Sequence, residues 1–290
     1  MKKYALVIVA LILLPIFLIA QTRPPQNIRR ITVTNKYEII DGKRTTKFKA
    51  IKQEFYDSLG QMNSVVCLNY TTGQVESNIW NTYENGVRVL SEEFVNGIFK
   101  RLIKYSYINK TLINKEIIYE VVDKDTLLHS TKIFRYNNES RPIRIEEFDK
   151  NNKKVSTVKI TYGKNGLELK KIVTAKKGFI PRDSIRSIIN SPKYDSLGRV
   201  GSEQIKIVYF DNKKAQEINK YMYDNNRRVI QKTVFDVNGN VISIFKYKYN
   251  NSGRIIEQSK LNAKEQYVES LAFRYELYRT PDLRYREIEY

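Results

Sequence analysis

Across 290 residues the chain carries one cysteine, one histidine and one tryptophan. A single thiol excludes an intrachain disulfide framework and any zinc site needing two thiolates. A single imidazole excludes two-histidine metal motifs of the H-E-x-x-H kind. Acids are also scarce, 31 against 51 Lys+Arg, so the formal net charge is +20. That excess bears on solubility and on anionic partners rather than on fold. At 41% hydrophobic and 28% charged the chain can bury a core and is not a disordered polyelectrolyte. Only one long apolar run exists, and it lies at the N-terminus.

That run reads as an address. Lys2 and Lys3 precede Ala5 to Ala20, and Ala20 is a small residue before the polar Gln21-Thr22. A secretory signal peptide over 1–20 is expected, as a signal helix. The run is short of the ~20 residues of a spanning helix, although an uncleaved anchor is the alternative. Cleavage would remove two lysines and no acid, leave a formal charge of +18 and leave no spanning helix. Residues 21–30, with Pro24-Pro25, read as an extended linker.

The body is a repeat. An aromatic is followed by Asp or Asn, two variable residues, often Gly, then a basic or polar residue. The best copies begin Tyr56-Asp57 with Gly60, Tyr194-Asp195 with Gly198, Phe235-Asp236 with Gly239, and Tyr249-Asn250 with Gly253. Tyr223-Asp224 and Phe148-Asp149 lack the glycine. Weaker copies begin at Tyr70, Tyr83, Phe94, Tyr136, Tyr162 and Phe210. Aromatics 136, 148 and 162, and again 223, 235 and 249, are separated by 12 and then 14 residues. A unit of about 26 residues with two turns follows. Asp or Asn at a first turn position can accept backbone N–H bonds, and Gly later tolerates φ > 0. Asp41-Gly42 is a separate hairpin signal, and Asp123-Lys124-Asp125 reads as another turn.

Between turns lie β-branched and aromatic runs with period-two alternation, such as Val241–Tyr249. The expected fold is all-β, a repetitive antiparallel β-meander forming an extended or curled sheet. One short helical insertion is expected at 173–192, with Asp183 or Ser184 as N-cap and Ile185, Ile188 and Ile189 at helical spacing. It divides an N-terminal β-repeat array over 31–172 from a C-terminal array and tail over 193–290, with Pro281–Tyr290 as a final edge strand.

Tyr194-Asp195-Ser196-Leu197-Gly198-Arg199 and its copies resemble the YD repeats of bacterial Rhs-type proteins, especially short exported proteins built from degenerate copies. The degenerate repeats cover 54–107 and 134–260. The resemblance implies an exported antiparallel β-protein. In large members the repeats wind into a shell around a toxin-bearing segment; this chain lacks the length and a recognisable toxin domain. The resemblance supplies no catalytic residues.

Candidate chemistry is thin. Cys67 lies in the apolar run Val65-Val66-Cys67-Leu68, 62 residues from His129, with no motif joining them. Asp123 and Asp125 are too few for a Ca²⁺ loop. Trp80 near Tyr83 could stack on a sugar, and Tyr221, Tyr223, Tyr247 and Tyr249 could form an aromatic platform, but cross-strand packing accounts for both. Basic pairs such as Lys43-Arg44, Lys170-Lys171, Lys176-Lys177, Lys213-Lys214 and Arg227-Arg228 mostly flank turns, where Lys also blocks edge pairing. No nucleic-acid motif, metal set or cofactor motif is present. The expected function is therefore non-enzymatic: an exported β-repeat module of the cell envelope, periplasmic or at the surface, structural or binding, able to contact an anionic polysaccharide or another envelope protein. The alternatives are a transmembrane β-barrel, which strand length and tyrosine content suit and Lys on both strand faces opposes, or an enzyme of unrecognised type.

Overall fold

A computed structural model describes residues 29–123, 125–177 and 185–278. They form eighteen β-strands. The first nine are β1 (Arg29–Ile40), β2 (Lys43–Tyr56), β3 (Met62–Leu68), β4 (Val75–Glu84), β5 (Val87–Val95), β6 (Ile98–Tyr107), β7 (Ile113–Val122), β8 (Asp125–Tyr136) and β9 (Pro142–Asp149). The others are β10 (Lys154–Tyr162), β11 (Glu168–Ala175), β12 (Ile185–Tyr194), β13 (Val200–Tyr209), β14 (Lys214–Tyr223), β15 (Val229–Phe235), β16 (Val241–Tyr249), β17 (Ile255–Asn262) and β18 (Tyr267–Tyr278).

Each strand pairs antiparallel with its sequence neighbours, and β1 pairs with β18 from Arg29↔Tyr278 to Lys36↔Leu271. The all-β, antiparallel reading holds, but the sheet is not an open or curled meander: it closes into one barrel. Closure satisfies the two edges that an open array would leave unpaired. Followed once around the ring, the registers return to β1 roughly 18–20 residues out of step. For eighteen strands this stagger gives a tilt of about 35° and a radius of about 17 Å.

The expected helix is corrected. Ile185, Ile188 and Ile189 lie on β12, where Ile188 pairs with Ile207 and Ile189 with Lys206. Ile185 and Ile188 are buried with Ile205 and Ile207, against Val173, Tyr209 and Ala215. The spacing suited a helix, but β-branched residues beside a partner strand bury more apolar surface on a pleated face. Residues 178–184, the signal segment, the linker before Arg29, and 279–290 lie outside the described residues. β11 and β12 pair with each other, so the sheet runs continuously past this segment.

The turns follow one plan. Asp57 Oδ1 accepts the N–H groups of Leu59 (2.9 Å) and Gln61 (2.8 Å), and Asp195 Oδ1 those of Leu197 and Arg199 (2.9 Å each). Asp149, Asp224, Asp236 and Asn250 accept in the same way from the residue four positions on. Hydrogen bonds from the Arg199 backbone hold the Asp195 carboxyl below its ordinary range. The fourth turn residue has positive φ whether it is Gly253 (+80°) or Arg227 (+62°). Nothing lies near a Cβ built on Gly253, so a substitution there meets only backbone strain. Gly253→Ala is expected to cost roughly 1 kcal/mol and Arg227→Gly to gain up to about as much, read from urea midpoints.

Candidate functional site: a tyrosine rim, a polar inner wall and a basic outer wall

Every even-numbered strand ends in, or within a few residues of, a tyrosine: 56, 83, 107, 136, 162, 194, 223, 249 and 275. In an up-and-down barrel these ends share one rim. Phe148-Asp149 and Phe235-Asp236 follow odd-numbered strands and therefore occupy the opposite rim. The 12-then-14 spacing is thus the alternation of two rims.

The tyrosine unit joins successive hairpins. Tyr223 OH donates to Val200 O (2.9 Å), Tyr249 OH to Val229 O (2.7 Å) and Tyr275 OH to Ile255 O (2.8 Å). Tyr83, Tyr107, Tyr136, Tyr162 and Tyr194 make the equivalent bond. Each bond ties the exit of a hairpin to its entrance. The arginine at that entrance lies over the same ring: Arg199 over Tyr223 and Arg228 over Tyr249 (both 4.7 Å), and Arg254 over Tyr275 (5.3 Å). Arg199 and Arg228 are also held by Asp195 (2.7 Å) and Asp224 (2.6 Å). So in Tyr194-Asp195-Ser196-Leu197-Gly198-Arg199 the Tyr closes one hairpin and the Arg opens the next.

The registers divide the wall into two faces. The face that carries the rim tyrosines also carries Asn190, Glu203, Ile205, Asn219, Tyr221, Lys232 and Phe245. Most of these are buried. The opposite face carries Lys193, Lys206, Lys220 and Lys246, all exposed. Curvature crowds the concave side of a closed sheet, so the tyrosine face is the inner wall.

Glu203 is buried on this wall, 6% exposed. Asn190 Nδ2 donates to Oε1, while Asn219 Nδ2 and Tyr221 OH donate to Oε2 (2.9 Å each). Burial and the Glu203 charge push the Tyr221 phenol far up, and burial pushes Tyr247 up to about 12. Both therefore remain protonated donors at neutral pH. Lys232 is also buried, and desolvation lowers its ammonium, with Glu203 and Glu217 opposing. On this wall acids and bases alternate and largely compensate: Glu93 meets Arg101 at 3.2 Å and Lys132 meets Glu116 at 3.9 Å.

The outer wall is different. From β9 to β16 it presents Arg144, Lys159, Lys193, Lys206, Lys220 and Lys246, with Glu146 as the acid set among them. The positive excess is concentrated on this face, which scattered positions in sequence did not reveal. Near the closing seam the β1–β2 hairpin folds over it: Tyr267 N donates to Gly42 O (2.8 Å), and Arg44 reaches Glu257 at 2.8 Å and Ser270 at 3.3 Å.

The other sequence candidates are not brought together. Cys67 is half-buried on β3, whereas His129 is on β8 beside Glu120 at 3.3 Å. Trp80 faces outward, 51% exposed, and tilts against Phe94 at 5.1 Å, while Tyr83 faces the inner wall. Tyr221 and Tyr223 on β14 and Tyr247 and Tyr249 on β16 lie on the inner wall with β15 between them. Asp123 lies in the β7–β8 turn and Asp125 opens β8, and no cluster of three His, Cys, Asp or Glu suited to a metal occurs among the described residues. Sequence reasoning missed Glu203 with its amide partners and Glu146 with its cations. Glu203 gathers groups 13 to 18 residues away and Glu146 gathers cations 2 to 11 residues away on three strands, sets visible only once register is known.

No family model matches the chain, and no curated protein matches it. Among solved structures it is similar to a porin-like protein from Bacteroides uniformis, at 10% identity over 87% of this chain and 99% of that one, with a TM-score of 0.45. A porin-like protein from Bacteroides vulgatus matches at 9% identity over 85% and 98%, with a TM-score of 0.37. The Photorhabdus luminescens Tc holotoxin pore matches at 11% identity over 79% of this chain and 14% of that one, with a TM-score of 0.32.

Proposed function

We propose that this protein is an exported, non-enzymatic β-barrel of the bacterial cell envelope that acts as a binding module in an aqueous compartment. The observation that carries this reading is that neither face of the barrel is apolar. A bilayer-spanning barrel needs an outward apolar band about 25 Å tall. Here Lys206, Lys220 and Lys246 stand mid-strand on one face, and Glu203, Glu217 and Lys232 on the other. A mid-strand Lys facing lipid costs about 2–4 kcal/mol, and several around one ring forbid insertion. No helix among the described residues is long and apolar enough to cross a membrane, which says nothing of strands. The polar inner wall and the rim are then surfaces for a ligand. The signal-like N-terminus and the YD-repeat resemblance support export and the envelope.

The transmembrane barrel is the second reading, because many strands have the 9–11 residues a crossing requires. One experiment separates the two. The chain without residues 1–20, expressed with an export signal, is expected in the detergent-free soluble fraction, and added to liposomes it should produce no swelling in small sugars. Recovery only in detergent, with swelling activity, would establish the membrane barrel instead.

A further inference from the structure

The outer wall holds a recess that the barrel's architecture does not use. Arg144, Lys154, Thr157, Lys159, Ile172 and Thr174 line a cavity of about 210 Å³ across β9, β10 and β11. On the same face Glu146, paired with Thr157 across β9 and β10, is 5% exposed. Its carboxylate meets Arg144 Nη2 at 2.7 Å, Lys154 Nζ at 3.3 Å and Arg135 Nε at 3.5 Å. One carboxylate therefore serves three cations, and Lys159 adds a fourth at the cavity wall. These neighbours hold the Glu146 carboxyl below its ordinary range despite its burial, so it stays ionised and the site keeps a net charge near +3. Arg144 spends Nη2 on Glu146, yet its buried Nε has no hydrogen-bond partner. Crowding cations around one acid is unfavourable for folding alone. The remaining N–H groups of the Arg144 guanidinium, the Lys159 ammonium and the Thr157 hydroxyl at the cavity wall instead make a receptor for an oxyanion.

We propose that this recess binds a phosphate or sulfate ester and anchors an extended anionic polysaccharide along the outer wall. A tetrahedral oxyanion presents three oxygens in different directions, which suits donors converging from three strands; a planar carboxylate presents two. The polymer is indicated by the charges beyond the recess. Lys193, Lys206, Lys220 and Lys246 continue on the same face over β12 to β16. At about 4.8 Å between strands, the path from β9 to β16 is roughly 34 Å of convex wall. A flexible chain follows that curve, whereas a flat lipid surface touches only a short arc. The assignment rests on the proposal that the protein works outside the cytoplasm, where such polymers occur.

The test uses the chain without residues 1–20, inorganic phosphate, heparin as a sulfated polysaccharide, and phosphatidylglycerol vesicles, all at low ionic strength. Two charge-matched variants are compared: Arg144→Gln with Lys159→Gln in the recess, and Lys206→Gln with Lys220→Gln on the strip. Saturable phosphate binding is expected, weakened about tenfold or more by the recess pair and less than about twofold by the strip pair. Heparin binding should fall with both pairs and fall steeply with salt. Lys159→Gln alone leaves the Glu146 contacts intact and serves if the double variant misfolds; it should lose phosphate affinity with an unchanged melting temperature. Equal losses of phosphate binding in the two pairs, or no saturable phosphate binding, would overturn the site. Binding to vesicles without binding to heparin would overturn the polysaccharide. Failure of the envelope reading shows separately, as cytoplasmic retention of the full chain with its own residues 1–20 while phosphate binding by the chain without them is intact.

Discussion

Glu203→Ala is expected to destabilise the barrel by about 3–5 kcal/mol, the scale for breaking a buried, charge-assisted network from one side. Truncation leaves the Asn190 and Asn219 amides and the Tyr221 hydroxyl without their acceptor, all on the inner wall. It also removes a counter-charge from the buried Lys232. The three donors come from β12 and β14, which flank β13, so one carboxylate ties three strands together. Glu203→Gln keeps one acceptor and brings an NH₂ group against donors, so a smaller loss of about 1–3 kcal/mol is expected. Urea unfolding followed by tyrosine fluorescence and far-UV circular dichroism measures both. A loss under about 1 kcal/mol for the alanine variant would show that water already satisfies these amides.

The second large effect concerns closure. Thr32 lies within β1, paired to Tyr275 on β18 and to Glu54 on β2. Thr32→Pro removes a backbone donor and forces a ring between two partner strands. The expected cost is about 3 kcal/mol or more, the scale of a proline placed inside regular structure. The chain should also become aggregation-prone, because an opened barrel exposes two long strand edges. Asn225→Pro is the control. It follows Asp224 at the second position of an exposed turn closed by Arg227 N to Asp224 O at 3.0 Å, where proline is favoured. A change within about 0.5 kcal/mol is expected there. Comparable losses at the two sites would mean that the β1–β18 seam contributes little and that the sheet is stable open.

The two variants probe features with different legibility in the sequence. Turn positions were readable because their chemistry is local: Asp57, Asp195 and Asp236 accept N–H groups within four residues of themselves. The strands followed from β-branched alternation between those turns. Ile185–Ile189 misled because a short isoleucine-rich segment satisfies both periods, and only partner strands β11 and β13 decide between them. The Glu203 network and the Glu146 recess were unreadable because each depends on register between strands. A one-residue slip would send either carboxylate to the other face.

By itself the sequence determined the repeating unit: a tyrosine, a turn-forming Asp or Asn, a residue that tolerates positive φ, and strands long enough to pair. These are short-range properties, set by side chains a few bonds apart. Only the tertiary structure decided that the array closes, because pairing β1 with β18 depends on the accumulated stagger of eighteen strands, which no single repeat encodes. Closure in turn defined an inside and an outside. It placed compensating charges on the crowded inner wall and left the positive excess outside, where repulsion between lysines is relieved by solvent.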